Sequence, residues 1–403
     1  MTAEASNSGQ ERPILDGIRV VDGATWLAGP TAATVMADFG ADVIKVEPPG
    51  GDGYRRLHET PGFPETEVDC AWQLDNRNKR SIMLDLGDPD DKACFQRLVA
   101  DADIFVTNHP HPVRRKFGLT YDDLAPLNPR LIYASLTAYG EAGAEADNAG
   151  FDLTAYWARS GLMHLVRPDM SGPPTPSVAG QGDHPTGIAL FGAIMLALYE
   201  RERTGRGREV HTSLIANGLW SNAVMATAAI AGAEPFVRRP REAPFSAQVN
   251  YYPTRDGRWF ILSALDPERD FRRILEVIER QDLADDPRFA TNESRMANAT
   301  ELTALFEACF RAHDWSHWQP RFAAVRLAVG TVFTPEEIVA DPQAQASGAV
   351  RPGADGSLLD RVIDTPLWVT GHQKTAPGRA PTLDEHGTAI RAALAGGRSP
   401  WAT

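Results

Sequence analysis

Two hydrophobic periods alternate along this chain. From Ile18 a short solid apolar run, IRVVDG, gives way to a helix-period stretch opening at Pro30 in GPTAATVMADFG, and then to a second solid run, DVIKVE. Solid runs read as strands covered on both faces, so strand, helix, strand predicts a βαβ unit. IMLDL, the helical DPDDKACFQRLVADA, IFVTN and LIYASL continue the alternation and predict an α/β fold, a mostly parallel sheet covered by helices. The absence of a G-x-G-x-x-G after the first strand counts against a dinucleotide cofactor on this Rossmann-like pattern.

Helical period persists through GFDLTAYWARSGLM and over Ile188 to Arg203, which Gly205 closes with Arg201 and Arg203 in the last turn. A further helix follows EVHTSL. Residues 233–246 are irregular and rich in Arg and Pro, the composition of a linker. NYYPTRDG and RWFILSAL, joined at Asp256-Gly257, predict a hairpin, and the short helices after it complete a smaller α+β domain. TPEEIVADPQAQASG reads as a helix returning the chain to the first domain. The expected organisation is a disordered leader over 1–14, a large Rossmann-like domain over 15–232, the linker, a small domain over 247–332 and a return to the large domain over 333–403. A length of 403 residues accommodates two domains.

A formal charge of −13 argues against a general nucleic-acid or anionic-membrane binder, so any phosphate contacts must be local. Cys70, Cys94 and Cys309 lack metal-ligand or disulfide spacing, which fits a reducing cytoplasm. The leader has no apolar signal core, and the longest apolar run, Ile188 to Tyr199, is too short to cross a bilayer. The expectation is a cytoplasmic protein with neither nucleic acid nor membrane as partner.

Candidate chemistry concentrates in SVAGQGDHPTGIALFGAIMLALYERERTGRGREVHTSL, Ser177 to Leu214. Asp183 stands there between a glycine-containing approach and a long apolar helix. Gly180 and Gly182 permit close approach to the backbone, and Pro185 suits a first helical turn. A carboxylate at that point is favoured by the helix dipole and reads either as a nucleophile or as an N-cap.

GDHPTG, the helix after it and TGRGREVHTSL resemble the signature segment of the family III CoA-transferases, the CaiB/BaiF family. The resemblance extends, in the same order, over LDGIRVVDGATWLAGPTAATVMADFGADVIKVEPPGGD at 15–52, NRNKRSIMLDL at 76–86, RRKFGLTYDDLAPLNPRLIYASLTAYG at 114–140 and RAPTLDEHG at 379–387. It implies a large Rossmann-like domain built from both chain ends, a small domain between, and a homodimer of two interlocked rings. It also implies a reaction: CoA passes from an acyl-CoA thioester to a small carboxylic acid, with CoA a co-substrate and no tightly bound cofactor. Asp183 would be the nucleophile, forming an acyl-aspartyl anhydride and then an aspartyl-CoA thioester. With an ordinary carboxylate pKa of about 4 it would need no general base.

Backbone amides around Gly29 or Gly182 are the candidate oxyanion donors. Tyr139 and Glu141 fall where family members line the thioester pocket. Asn76, Lys79, Arg80, Asn108, Arg114, Arg115 and Lys116 are the candidates for holding CoA, whose phosphates call for placed cations. The turn Trp26, Leu27, Ala28, Gly29, with Phe151, is the expected substrate pocket, bulky and apolar enough for a branched, aromatic or carnitine-like acyl group. His109, His111 and His184 lack a third ligand nearby, so no metal is assigned. Trp26, Trp157 and Trp220 read as core or subunit-contact residues rather than as platforms for substrate. Two alternatives stand beside the transferase. An α-methylacyl-CoA racemase of the same family would have a His where Gly150-Phe151-Asp152 carries Phe151, and phenylalanine exchanges no proton; a noncatalytic CoA-binding scaffold would not need Asp183.

Overall fold

The computed structural model describes residues 12–178 and 180–401; residues 1–11, most of the expected leader, lie outside the described residues. Two compact units emerge. The first takes the chain up to His164, Pro176–Gly232 and everything from Gln343 on; the second takes Leu165–Thr175 and Ala233–Pro342.

The solid apolar runs of the first unit become five parallel strands, β1 Arg19–Asp22, β2 Asp42–Glu47, β3 Arg80–Met83, β4 Ile104–Thr107 and β5 Ile132–Thr137, joined by a sixth, β6 Glu209–Ser213. They lie in the order β3-β2-β1-β4-β5-β6, and every pairing is parallel. Alternate side chains serve opposite faces. Val20, Val43, Ile104 and Ala134 pack under the helices Ala28–Asp38 and Asp183–Thr204, through Val35, Met36, Leu190 and Ile194. Val21, Ile44, Phe105 and Tyr133 face Phe95 and Leu98 of the helix Pro89–Ala100, and Ile390 near the C-terminus. Every residue of β4 and β5 is buried, whereas β6 is an edge strand with Glu209 and His211 in water. That is why the inner strands read as solid apolar runs and β6 does not.

The C-terminal segment completes the unit at β3. The Gly378 amide donates to Asn78 Oδ1 at 2.8 Å, Met83 N donates to Asp384 Oδ1 at 2.8 Å, and His386 N donates to Ser81 O at 3.0 Å.

In the second unit β7 Val249–Pro253, β8 Trp259–Ser263 and β9 Val329–Thr331 form an antiparallel sheet, with Gly257 in the left-handed region at φ 77° in the expected turn. Tyr252, Phe260, Phe306, Phe310 and Phe322 make its core. The segment expected to return to the large domain instead stays with this unit as far as Pro342. Thr334 caps the helix Pro335–Ala340, and Glu337 within it accepts from Arg258 at 2.7 Å, which ties the helix to β8.

In the first unit Gly187 lets two helices touch. A Cβ there would lie 2.7 Å from the Ala28 carbonyl oxygen and 2.7 Å from Thr31 Cβ. Gly187→Ala should therefore destabilise the protein by about 1–3 kcal/mol through overpacking, read as a lower urea midpoint.

Candidate active site

In an open parallel sheet, ligands bind beyond the carboxyl ends of the strands where the order reverses, here between β1 and β4. Asn108, just past β4, stitches the two loops together: its Oδ1 accepts from Thr25 N at 2.8 Å and its Nδ2 donates to Thr25 O at 2.6 Å. The turn after β1 carries Trp26 at φ 61°, with its amide directed onto Asp52. A cavity of about 200 Å³ opens between this turn and β5; Trp26, Leu27, Asn108, Phe151 and Asp183 are among its walls.

Asp183 is the first residue of its helix, not the N-cap, which is Gly182. The turn that presents it hangs on Asp152, whose Oδ2 accepts from the amides of Gly180 at 3.0 Å and Gly182 at 3.4 Å. Gly180 sits at φ 89°, and a Cβ on Gly182 would lie 2.5 Å from the Tyr156 ring. Both glycines are thus required by geometry. Behind the turn, buried Asp75 accepts from Thr31 Oγ1 at 3.1 Å and Tyr54 OH at 2.8 Å, and pairs with His184 Nε2 at 3.1 Å. His184 is thereby turned toward Asp75.

Burial pushes the Asp183 carboxyl up to about 7, reinforced by the charges of Asp152 and Asp75 and opposed by His184. The expectation of an ordinary pKa of about 4 is corrected by this environment. Asp75 itself is held below its usual range, because His184, Tyr54 and Lys79 outweigh the penalty of burial. Burial opposes the charged form of His184 too, yet Asp75 and Asp183 lift its pKa.

The structure brings together Asp183, Gly182, Asn108, Trp26, Leu27, Ala28, Gly29 and Phe151. It places other candidates elsewhere. Glu141 accepts from Ser135 Oγ at 2.6 Å and contacts His111 Nε2 at 2.6 Å and Arg114 Nη1 at 3.2 Å, in a separate recess with Tyr121 and Glu209. Tyr139 lies 5.6 Å beneath the Arg159 guanidinium and does not line the Asp183 cavity. Lys79 and Asn76 are fully buried and bonded to one another, Nζ to Oδ1 at 3.1 Å, so neither can reach a CoA phosphate. Arg80 is paired with Asp42 at 2.6 Å, and buried Arg114 donates to His109 O at 2.6 Å as well as to Glu141. Arg115, paired with Asp147 at 2.8 Å, and Lys116 are the candidates that stand in water. The Gly182 amide is engaged by Asp152, which removes it as an oxyanion donor.

Asp152, Asp75, Tyr54 and Asp52 were not anticipated. Asp152 and Asp52 each carried a signal, as the acidic ends of GFD and PGGD; Asp75 and Tyr54 carried none, because their roles arise only from packing.

The model for CoA-transferase family III matches residues 15–387. The chain belongs to that family. A succinate–glutarate CoA-transferase from Agrobacterium fabrum is 35% identical over 396 residues, 95% of this chain and 96% of that one. An (R)-2-hydroxy-4-methylpentanoate CoA-transferase from Clostridioides difficile is 28% identical over 375 residues, 93% of each chain. The solved structure of a CaiB/BaiF family protein from Brucella suis superposes with a TM-score of 0.84 at 32% identity, over 95% of this chain and all of the other. This family III member is therefore a CoA-transferase enzyme. No helix among its described residues is long and apolar enough to cross a membrane.

The raised Asp183 pKa ties stability to pH. Between the ordinary value of 3.8 and about 7, the folded state keeps a proton that the unfolded chain releases, so the carboxyl's contribution to stability is present at low pH and lost as pH rises through 7. Asp183→Asn should raise the Tm by a few degrees relative to wild type at pH 8 and leave it unchanged at pH 4, measured by scanning calorimetry.

Proposed function

We propose that this enzyme moves CoA from an acyl-CoA thioester to a free carboxylic acid through covalent intermediates on Asp183. The observation that carries the reading is the placement of Asp183: half-buried, at the head of a helix and on the wall of the cavity at the sheet's switch point. Its ionised oxygen attacks the thioester carbonyl; the C–S bond breaks, CoA leaves as thiolate, and an acyl-aspartyl anhydride remains. The thiolate then attacks the aspartyl carbonyl, giving an aspartyl-CoA thioester and releasing the donor acid. The acceptor carboxylate repeats these steps in reverse and restores Asp183. The thioester bond is conserved throughout, so no nucleotide is consumed.

Each tetrahedral intermediate carries an oxyanion. The amides of Ala28 and Gly29 are the donors best placed for it, because their helix has no side-chain cap and its first internal bond comes from Thr31 N to Leu27 O at 2.9 Å. CoA itself is assigned to the crevice leading away from Asp183. A second recess of about 130 Å³, lined by Val46, Leu86, Phe95, His109 and Phe117, shares Thr25 with the acyl cavity and suits the adenine ring. Arg115 and Lys116, on the helix His111–Phe117 beside that recess, suit the phosphates. A homodimer belongs to the same reading, supported by the exposure of Leu196, Tyr199, Trp220, Val224 and Ile230. Phe151 favours transfer over racemisation, since it puts a group without an exchangeable proton where proton transfer would need one.

Incubating the enzyme with acyl-CoA thioesters and hydroxylamine should leave a hydroxamate on the Asp183 peptide by mass spectrometry, and Asp183→Ala should leave none. Deuterium uptake alpha to the thioester without a hydroxamate would establish a racemase instead. Because attack requires the ionised carboxylate, kcat/KM should fall about tenfold per pH unit below about 7.

A further inference from the structure

Resting on the CoA-transfer reading, we propose that the acyl group this enzyme carries is apolar and of ring size, aromatic or branched, with no second carboxylate, and that Trp26 selects it. Trp26 holds a left-handed backbone at φ 61°, a conformation that costs a bulky residue free energy and persists only where its surroundings impose it. Asp52 imposes it. Its two carboxylate oxygens accept from the Trp26 amide at 3.1 and 3.2 Å, and it is anchored in turn by the buried Lys45 ammonium at 3.0 Å. Gly53 packs beneath the indole; a Cβ there would lie 3.1 Å from Cζ2 of Trp26. Phe151 meets the indole edge-on, with centroids 6.1 Å apart and planes at 82°.

The product of this support is two large aromatic rings left open at the cavity, Trp26 41% and Phe151 59% exposed. Two adjoining exposed rings at the mouth of a cavity form a contiguous apolar patch, the kind of surface that marks a ligand-binding groove. A cavity of about 200 Å³ is of the size that takes a benzene-like group.

Charge points the same way. Among the described residues lining this cavity, Asp183 is the one ionisable group; of the charged groups near it, Asp152 and Asp75 raise its pKa and His184, which is turned toward Asp75 and off the wall, lowers it. A second carboxylate on the acyl chain would meet Asp183 with no cation on the wall to receive it. Burying it there is penalised by both desolvation and repulsion.

The test is the single-turnover acylation of Asp183 in the full-length enzyme by four thioesters: 4-methylpentanoyl-CoA, 3-phenylpropanoyl-CoA, succinyl-CoA and glutaryl-CoA. The two apolar thioesters should acylate at least about 100-fold faster than the two acidic ones. Trp26→Ala should cut that ratio by about tenfold or more, and Phe151→Arg should shift it toward succinyl-CoA. Equal or faster acylation by succinyl-CoA or glutaryl-CoA in the wild type would overturn the proposal, as would an unchanged ratio in a folded Trp26→Ala variant. If that variant does not fold, the wild-type ranking and Phe151→Arg decide. Failure of all four thioesters to label Asp183 would instead bring down the CoA-transfer reading, and this proposal with it.

Discussion

The ammonium of Lys79 holds the site's walls in one piece. Its three protons are shared among four acceptors within reach, Asp22 Oδ2 at 2.8 Å, Pro30 O at 2.9 Å, Asp75 O at 2.8 Å and Asn76 Oδ1 at 3.1 Å. These acceptors belong to the end of β1, the first turn of the helix it feeds and the helix Cys70–Asn76, so one cation fixes three elements around Asp183. Asp22 Oδ2 lies 3.9 Å from Lys45 as well, and Lys45 reaches Asp52, which holds Trp26. Leaving such a buried charge without its partner costs about 3–5 kcal/mol. Burial, with Lys45 nearby, pushes Lys79 down to about 8 despite Asp22.

Asp183 lives under opposed forces. The start of its helix favours an anion, while burial and two neighbouring carboxylates disfavour it. Asp152 contributes on both sides: it shapes the turn by accepting two amides and raises the energy of the anion that turn presents. A carboxyl near 7 is ionised in about half of molecules at neutral pH, and on the proposed mechanism that ionised fraction, more basic than an ordinary aspartate, would be the stronger nucleophile.

Much of the fold was legible because β4 and β5 are buried at every position and mostly apolar, their polar residues Thr107, Ser135 and Thr137 being too small and too few to blur the pattern. Short strands such as β9, and the β10–β11 pair formed by Val350–Pro352 and Arg361–Ile363, were not legible, since three residues carry no period. At the site, Asp183 could be read because glycine and helix signals bracket it. The cations could not. Lys79, Arg80 and Arg114 look alike in a sequence whether they face a phosphate or an internal carboxylate, and each proved to have an internal partner. The supporting acids Asp75 and Asp152 have partners distant in sequence, at separations of 109 and 28 residues for His184 and Gly180.

The attachment of the C-terminal segment to β3 has a consequence for how the protein is made. Asn78 is bonded to Gly378, and Arg391 to Met83, across 300 and 308 residues. During synthesis, β3 and the helix Pro89–Ala100 leave the ribosome long before the strand of chain that covers them. Closing so long a loop adds little entropy beyond closing a shorter one, but it must wait for translation. The first unit thus cannot cover this flank of its sheet until the C-terminal segment has been made, which leaves the nascent chain, rather than the finished enzyme, with that apolar surface open.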